Sequence, residues 1–399
     1  MKDIFRKTAV LLILLLPVSA GAAGSDFDIS GYVKYLSSAS DVPAVSGRLY
    51  DQLLHARINT AWYPTQVLRG ELDARVRAFY GDSVEKIPHF ADQVKTGYPF
   101  TNLDAVMWDE NRSIGYGQID RLWLGYTRSN LEVTLGRQRI AWGTALVWNV
   151  IDLFNPKSVL DFDYEEKPGA DAFRIQYYTG AVSKVEVVAQ PGKTLAQAVF
   201  AGLYSVNAFE FDFFAVAGIR NNRWVAGGAW AGSVLDGGFR GEVLVSQAPG
   251  NENAPVEAVP ANFGKSLFAS GTPVVSVVLS GDYTFHSTLY LHTECLFNSD
   301  GKTENAGAFQ QEALAAGLLS AARWSIYQEV AYDITPLTRG TLFGVFNPCD
   351  GSSVVVPMVT FSLRTDLDLL LIGQFASGNA YTEFGDYGKT VTLRLKYSF

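Results

Sequence analysis

Charge is scarce in this chain. Of its 399 residues only 18% are Asp, Glu, Lys or Arg, against roughly a quarter in an ordinary soluble domain. Cysteine is scarcer still. Cys295 and Cys349 stand alone, which excludes a disulfide-built scaffold and an iron–sulfur protein. The sequence holds no CxxCH, HExxH or GxSxG pattern, so covalent haem attachment, a zincin site and a nucleophile elbow are absent as motifs. No histidines are spaced for one metal site, so neither a metal nor a cofactor is expected. The net charge of -8 argues against a nucleic-acid backbone as partner. After residue 23 no stretch approaches the ~18 apolar residues of a spanning helix. Yet 48% of the chain is hydrophobic, with a mean hydropathy of +0.08, too apolar for a disordered chain.

What is present begins with an export signal. Lys2, Arg6 and Lys7 precede the apolar run from Thr8 to Val18, and the small residues Ser19-Ala20-Gly21-Ala22-Ala23 follow. Residues 1–23 therefore read as a cleavable secretory leader.

The remaining chain has a period of two. In residues 68–80, Leu68, Leu72, Ala74, Val76 and Ala78 share one face, and Arg69, Glu71, Asp73, Arg75 and Arg77 share the other. Successive side chains point to opposite sides of a strand. The final segment repeats the pattern, with Val391, Leu393, Leu395, Tyr397 and Phe399 alternating against Thr392, Arg394, Lys396 and Ser398. An aromatic residue closing such a strand resembles the C-terminal signature of bacterial outer-membrane barrels. The fold class expected is therefore all-β: one transmembrane antiparallel β-barrel over 24–399, whose apolar rows face lipid and whose polar rows face a wet lumen.

Eighteen strands are expected, at 27–37, 50–63, 66–80, 115–128, 131–140, 170–179, 182–190, 195–206, 208–219, 222–233, 236–247, 269–280, 282–293, 318–331, 336–347, 350–364, 366–377 and 388–399. Merging two weak neighbours gives 16 as the alternative. Short connections follow even-numbered strands and the long ones follow odd-numbered strands, which places both termini on the periplasmic side. Aromatic residues near strand ends, among them Trp62, Tyr63, Tyr80, Tyr177, Tyr178, Trp224 and Trp230, suit the two membrane interfaces.

By parity the lumen is lined with mixed charge: Arg57, Arg69, Arg75, Arg77, Arg121, Arg174 and Arg240, opposed by Glu71, Asp73 and Glu242. Such a lining either sorts solutes by charge or stiffens the wall as a paired network. The segment 136–156, GRQRIAWGTALVWNVIDLFNP, breaks the alternation. An apolar stretch inside a long connection needs cover, and folding into the lumen around 141–169 supplies it. Arg137, Gln138, Trp142, Trp148 and Asn155 are the candidates for constriction or for a latch between loop and wall. Arg137 and Arg139, at the mouth of this segment, follow the lipid-facing parity of Leu131, Val133 and Leu135, so they need either a bulge or a place above the membrane. The acidic stretch 157–171 lacks EF-hand spacing and is expected to be solvated. Cys295 and Cys349 both fall at expected outer connections, and a disulfide between them is a candidate.

Gly136, Arg137, Gln138, Trp142, Gly143, Asn155 and Pro156 resemble the GRQ…WG…NP pattern of several outer-membrane porin-like families, a resemblance of about 21 residues. It implies a passive channel for small polar or anionic solutes in the outer membrane, with no chemistry of its own. Its surroundings would be outer-membrane lipids and lipopolysaccharide, and a homo-oligomer is compatible. Two other readings stay open: a barrel that sheathes an exported multihaem cytochrome, and an outer-membrane lipid hydrolase using His55.

Overall fold

The computed structural model describes residues 26–94, 100–154, 160, 163, 166, 168–247 and 272–399. The expected leader 1–23, Asn155 and Pro156 lie outside the described residues. The strands are β1 (Phe27–Asp41), β2 (Leu49–Trp62), β3 (Leu68–Gly81), β4 (Asp104–Glu110), β5 (Ser113–Arg128), β6 (Leu131–Gln138), β7 (Ala170–Tyr178), β8 (Lys184–Gln190) and β9 (Val199–Ala208). They continue with β10 (Phe211–Arg220), β11 (Arg223–Val234), β12 (Gly237–Gln247), β13 (Val274–Thr284) and β14 (Tyr290–Asn298). The last five are β15 (Trp324–Thr335), β16 (Thr338–Phe346), β17 (Ser353–Arg364), β18 (Leu367–Ser377) and β19 (Lys389–Ser398).

Eighteen of these strands, all but β4, close into a single antiparallel ring, with β19 pairing back onto β1. Closure leaves no sheet edge in contact with hydrocarbon, where an unpaired backbone group would cost several kcal/mol. The ring is sealed where the ends of the chain meet. Gly31 N–H donates to Phe399 O at 2.9 Å, and Phe399 N–H returns to Gly31 O at 3.0 Å. The Phe399 ring lies over Gly31, where an added Cβ would strike that ring and the Arg57 carbonyl. Glycine is required here for close approach.

The wall is inside out relative to a soluble protein. In β3 Leu72 is exposed while Asp73, Arg75 and Arg77 are buried, and in β19 Val391, Leu393, Leu395 and Tyr397 are exposed. An apolar outer face with charge inside is stable only against lipid. Trp62, Tyr63, Tyr177, Tyr178 and Tyr397 crowd the rim that carries the termini, all of them exposed. Their amphipathic rings suit the headgroup region.

Connections on that rim are short: 63–67, 129–130, 179–183, 209–210, 235–236, 285–289, 336–337 and 365–366. Three are displaced from expectation: 209–210 stands for the expected 207, 336–337 for 332–335, and the third shift is the largest. The turn between β13 and β14 falls at 285–289, not at 280–281, because β13 runs on to Thr284 through the buried Ser280. His286 is therefore a turn residue and does not share a strand with His292.

β4 is an addition that the period-two reading missed. It forms a hairpin with the outer half of β5, from Asp104↔Gln118 to Glu110↔Ser113. β6 pairs only with the other half, from Leu122↔Arg137 to Arg128↔Leu131. On its far side β5 is paired with β3 along its length, with one register shift: Asp73 faces Arg121 and Ala74 faces Ile119. Asp120 is thus the extra residue of a bulge, and such bulges re-aim side chains.

Candidate functional site

The inward face divides into a charged half and an apolar half. The charged half is built on β1–β3 and β5. Arg57 is 2% exposed and anchors a dense network. Its guanidinium donates to Asn59 Oδ1 at 2.6 Å and Asp73 Oδ2 at 2.8 Å, and it also reaches Asp120 and, at 2.8 Å, Glu166. The bulge lets Asp120 serve two arginines, since Arg75 Nε stands 3.2 Å from Asp120 Oδ1 and also donates to Gln118 Oε1 at 3.1 Å. Nearer the outer rim, Asp163 gathers His55 (Nδ1 to Oδ1, 2.7 Å), Lys34 and Arg77. Asp163 and Glu166 come from the long β6–β7 connection, so these two residues tie it to the β1–β3 wall through ion pairs. Among the described residues of the acidic stretch, expected from sequence to be solvated, Asp163, Glu166 and Asp171 each meet a basic wall residue. Among the described residues no group of His, Cys, Asp and Glu is arranged to hold a metal ion.

The apolar half is filled by the chain itself. Ile140, Trp142, Ala145, Trp148, Val150, Ile151, Leu153 and Phe154 are all buried. They pack with inward residues of β8–β18, including Val188, Leu203, Val216, Val278, Leu296, Phe343, Val354 and Val356, in one core. Burial at ~25 cal/mol per Å² of apolar surface drives this insertion. A segment that enters a lumen must also satisfy its backbone donors. Wall carboxylates do so. Glu242 accepts the N–H groups of Thr144, Ala145 (2.9 Å) and Ile151 (3.1 Å). Glu294 accepts those of Leu146 (3.1 Å), Val147 (3.2 Å) and Trp148 (2.6 Å). Glu186 accepts Trp142 Nε1–H at 2.7 Å and is held in turn by Arg174 and Lys184.

The segment starts at a fixed junction. Gly136 has φ +121°, and a Cβ there would meet the Leu122 carbonyl, so the left-handed backbone is open to glycine alone at little cost. Arg137 is buried: Nε donates to Asp171 Oδ1 at 2.7 Å, Nη1 to Ile119 O at 2.9 Å, and Nη2 reaches Thr101 O. Thr101 N–H donates to Asp171 Oδ2 at 2.7 Å. Arg137 is thus the bolt at the place where β5 exchanges β6 for β4 as its neighbour. It stays in register with Leu122 and Asp171, covered by the lead-in to β4 rather than flipped by a bulge. Gln138 Nε2 donates to Thr134 O and Ala172 O.

Below the ion-pair network lies a cavity of about 500 Å³ in the terminus-side half of the lumen, lined by Arg57, Arg69, Arg121, Arg139 and Arg174, by Asp28, Glu71, Asp73, Glu132 and Glu166, and by Trp123 among others. Of the expected lumen residues, Arg57, Arg69, Glu71, Asp73, Arg121 and Arg174 meet here, while Arg75 and Arg77 stand above in the network. Arg240 pairs with Asp282 on the opposite wall. Arg139, which shares the lipid-facing parity of Arg137 in the sequence, lines this cavity as well, a place that parity did not give it.

The candidate disulfide is not formed. Cys295 and Cys349 are free thiols. Cys295 lies within β14, cross-strand from Leu279 and Ile326, whereas Cys349 sits in the outer turn between β16 and β17. His55 is committed to Asp163 and lies edge-on to Tyr32, 5.4 Å between ring centroids.

No protein-family model and no curated protein matches this chain. Solved structures do. OprD from Pseudomonas aeruginosa superposes with a TM-score of 0.58 at 8% identity, over 95% of each chain. OccK5 (OpdH) from Pseudomonas aeruginosa gives 0.58 at 10% identity, over 94% of this chain and 98% of that one. OccAB1 from Acinetobacter baumannii gives 0.57 at 11%, over 96% and 99%. The barrel architecture is shared with these proteins. At such identities the likeness speaks for fold alone.

Proposed function

We propose that this chain is an outer-membrane channel through which small polar solutes diffuse, with a bias toward anions. The observation that carries this reading is the cavity of about 500 Å³ on the charged side of a lumen whose other side is filled by residues 140–154. A path confined to one charged wall combines a narrow cross-section with a strong local field, and the two together set size and charge selectivity. The expected leader at 1–23 and the likeness to the OprD and Occ barrels support the outer membrane as its place. The GRQ…WG resemblance supports the inserted segment as the element that sets width.

The sheath reading gains nothing from this arrangement, because residues 140–154 occupy lumen space that an enclosed cytochrome would need. The hydrolase reading gains nothing from His55, whose described partners include no serine.

The test is conductance of the purified, folded protein in a planar lipid bilayer. Discrete steps with a reversal potential displaced toward the anion value are expected under a salt gradient. A correctly folded barrel that inserts and never conducts would overturn the reading.

A further inference from the structure

The five guanidinium groups around the cavity are not equivalent. Arg57 is neutralised by Asp73, Asp120 and Glu166. Arg174 grips Glu186 through two hydrogen bonds, 2.7 and 2.9 Å. Arg69 stands 3.5 Å from Glu71 and stacks between Tyr63 and Trp123. Arg121 donates to the Asp120 carbonyl at 2.9 Å. Arg139 differs from all four. It lines the cavity and is exposed, and among the described residues it has no hydrogen bond or ion pair.

Its backbone is nevertheless held tightly on both sides. Gln138 is pinned to two carbonyls, and Ile140 is wholly buried. From 138 to 142 burial alternates: Gln138, Ile140 and Trp142 are buried, Arg139 and Ala141 exposed. A fixed main chain therefore presents one planar, five-donor cation to water at the start of the inserted segment. Such a group binds carboxylate or phosphate oxygens in a bidentate fork. A guanidinium already engaged by fixed carboxylates has no such capacity.

We propose that Arg139 is the residue that sorts solutes by charge, docking the oxyanion of a solute as it passes the inserted segment. This rests on the channel reading and sharpens it: the other four arginines, the exposed Arg69 included, are held by protein groups, and the one arginine without a partner among the described residues sets selectivity.

The experiment compares wild type, Arg139→Gln, Arg139→Glu and Arg69→Gln in planar bilayers under gradients of potassium chloride and potassium acetate. Folding of each barrel is first checked by its heat-dependent electrophoretic mobility. Changing one charge beside a confined path alters the local barrier by about RT or more, so the anion-to-cation permeability ratio of Arg139→Glu should fall about threefold or further. Arg139→Gln should fall in the same direction by less, and serves alone if the glutamate variant does not fold. Arg69→Gln should change the ratio less than Arg139→Gln. An unchanged ratio in conducting Arg139→Gln and Arg139→Glu channels would overturn the proposal, as would an equal shift in Arg69→Gln. A folded wild-type barrel that does not conduct overturns the channel reading itself, a result distinct from either of these.

Discussion

The two halves of the lumen solve the same problem by opposite means. Both must fill the space inside a ring of eighteen strands. The β1–β5 side does it with charge, where the buried guanidinium groups of Arg57, Arg75 and Arg77 are matched by carboxylates across strands and from the β6–β7 connection. The β8–β18 side does it with an inserted apolar segment, and two of its carboxylates, Glu242 and Glu294, receive that segment's backbone N–H groups. The same residue type, glutamate, thus has two roles: Glu166 neutralises an arginine, whereas Glu242 and Glu294 replace the water that three N–H groups each would otherwise need. Buried ion pairs of the first kind gain Coulomb energy but lose hydration. The second kind adds hydrogen bonds to apolar burial in the same element, so the apolar half should be the stiffer one.

Removing an acceptor from the stiff half is the most severe way to test this contrast. Glu242→Ala leaves the N–H groups of Thr144, Ala145 and Ile151 buried without a partner. At 1–3 kcal/mol for each orphaned donor, the barrel should lose about 3 kcal/mol or more. Thermal unfolding in detergent reads this directly, and a widened single-channel conductance should accompany it. Unchanged stability and conductance would mean that the segment is held by apolar packing alone.

A smaller effect is expected where the outer connections meet. Glu383 is buried in the connection between β18 and β19, accepts the Ser320 hydroxyl, and offers its own N–H to Asp350 Oδ2 at 2.8 Å. Burial pushes its carboxyl up from 4.5 to about 7, with the Asp350 charge adding and the Ser320 hydrogen bond opposing. The folded chain thus binds this proton more tightly than the unfolded chain does. Its contribution is fully present below about pH 4.5 and is lost as pH rises through about 7, a change of about 3 kcal/mol. Glu383→Gln should flatten that window in a pH series of thermal melts, and a slope that persists would assign the titration elsewhere. Least of all should follow from Arg48→Ala, which removes an exposed pair with Asp41 (2.8 Å) outside the lumen. Exposed pairs contribute little, and no shift in the melting temperature is expected.

Much of the barrel could be read from the alternation of side chains, because one buried and one lipid-facing row leave a clear period. The rule that short and long connections alternate followed from the same pattern. β4 was hidden because residues 104–110 lie inside a polar, irregular connection and pair with only one neighbour. The charged partners of the wall were hidden by distance: His55 and Asp163 are 108 positions apart. Glu242 was legible as a lumen residue but not as an acceptor for backbone donors, since no side-chain pattern marks which N–H groups will be left over. Yet one signal of the apolar half was present. Val354, Val355 and Val356 run without alternation, which marks a strand covered on both faces, and the inward Val354 and Val356 join the core around the inserted segment.

The distance between the inserted segment and its acceptors also orders events in time. Thr144 meets Glu242 across 98 positions, and Leu146 meets Glu294 across 148. Contacts of such separation form late in folding. A chain that has completed β6 but not yet β12 and β14 therefore carries an uncovered apolar stretch whose carboxylate cradles do not yet exist. Maturation of this barrel must include a final step in which the nearly complete cylinder takes up its own filling.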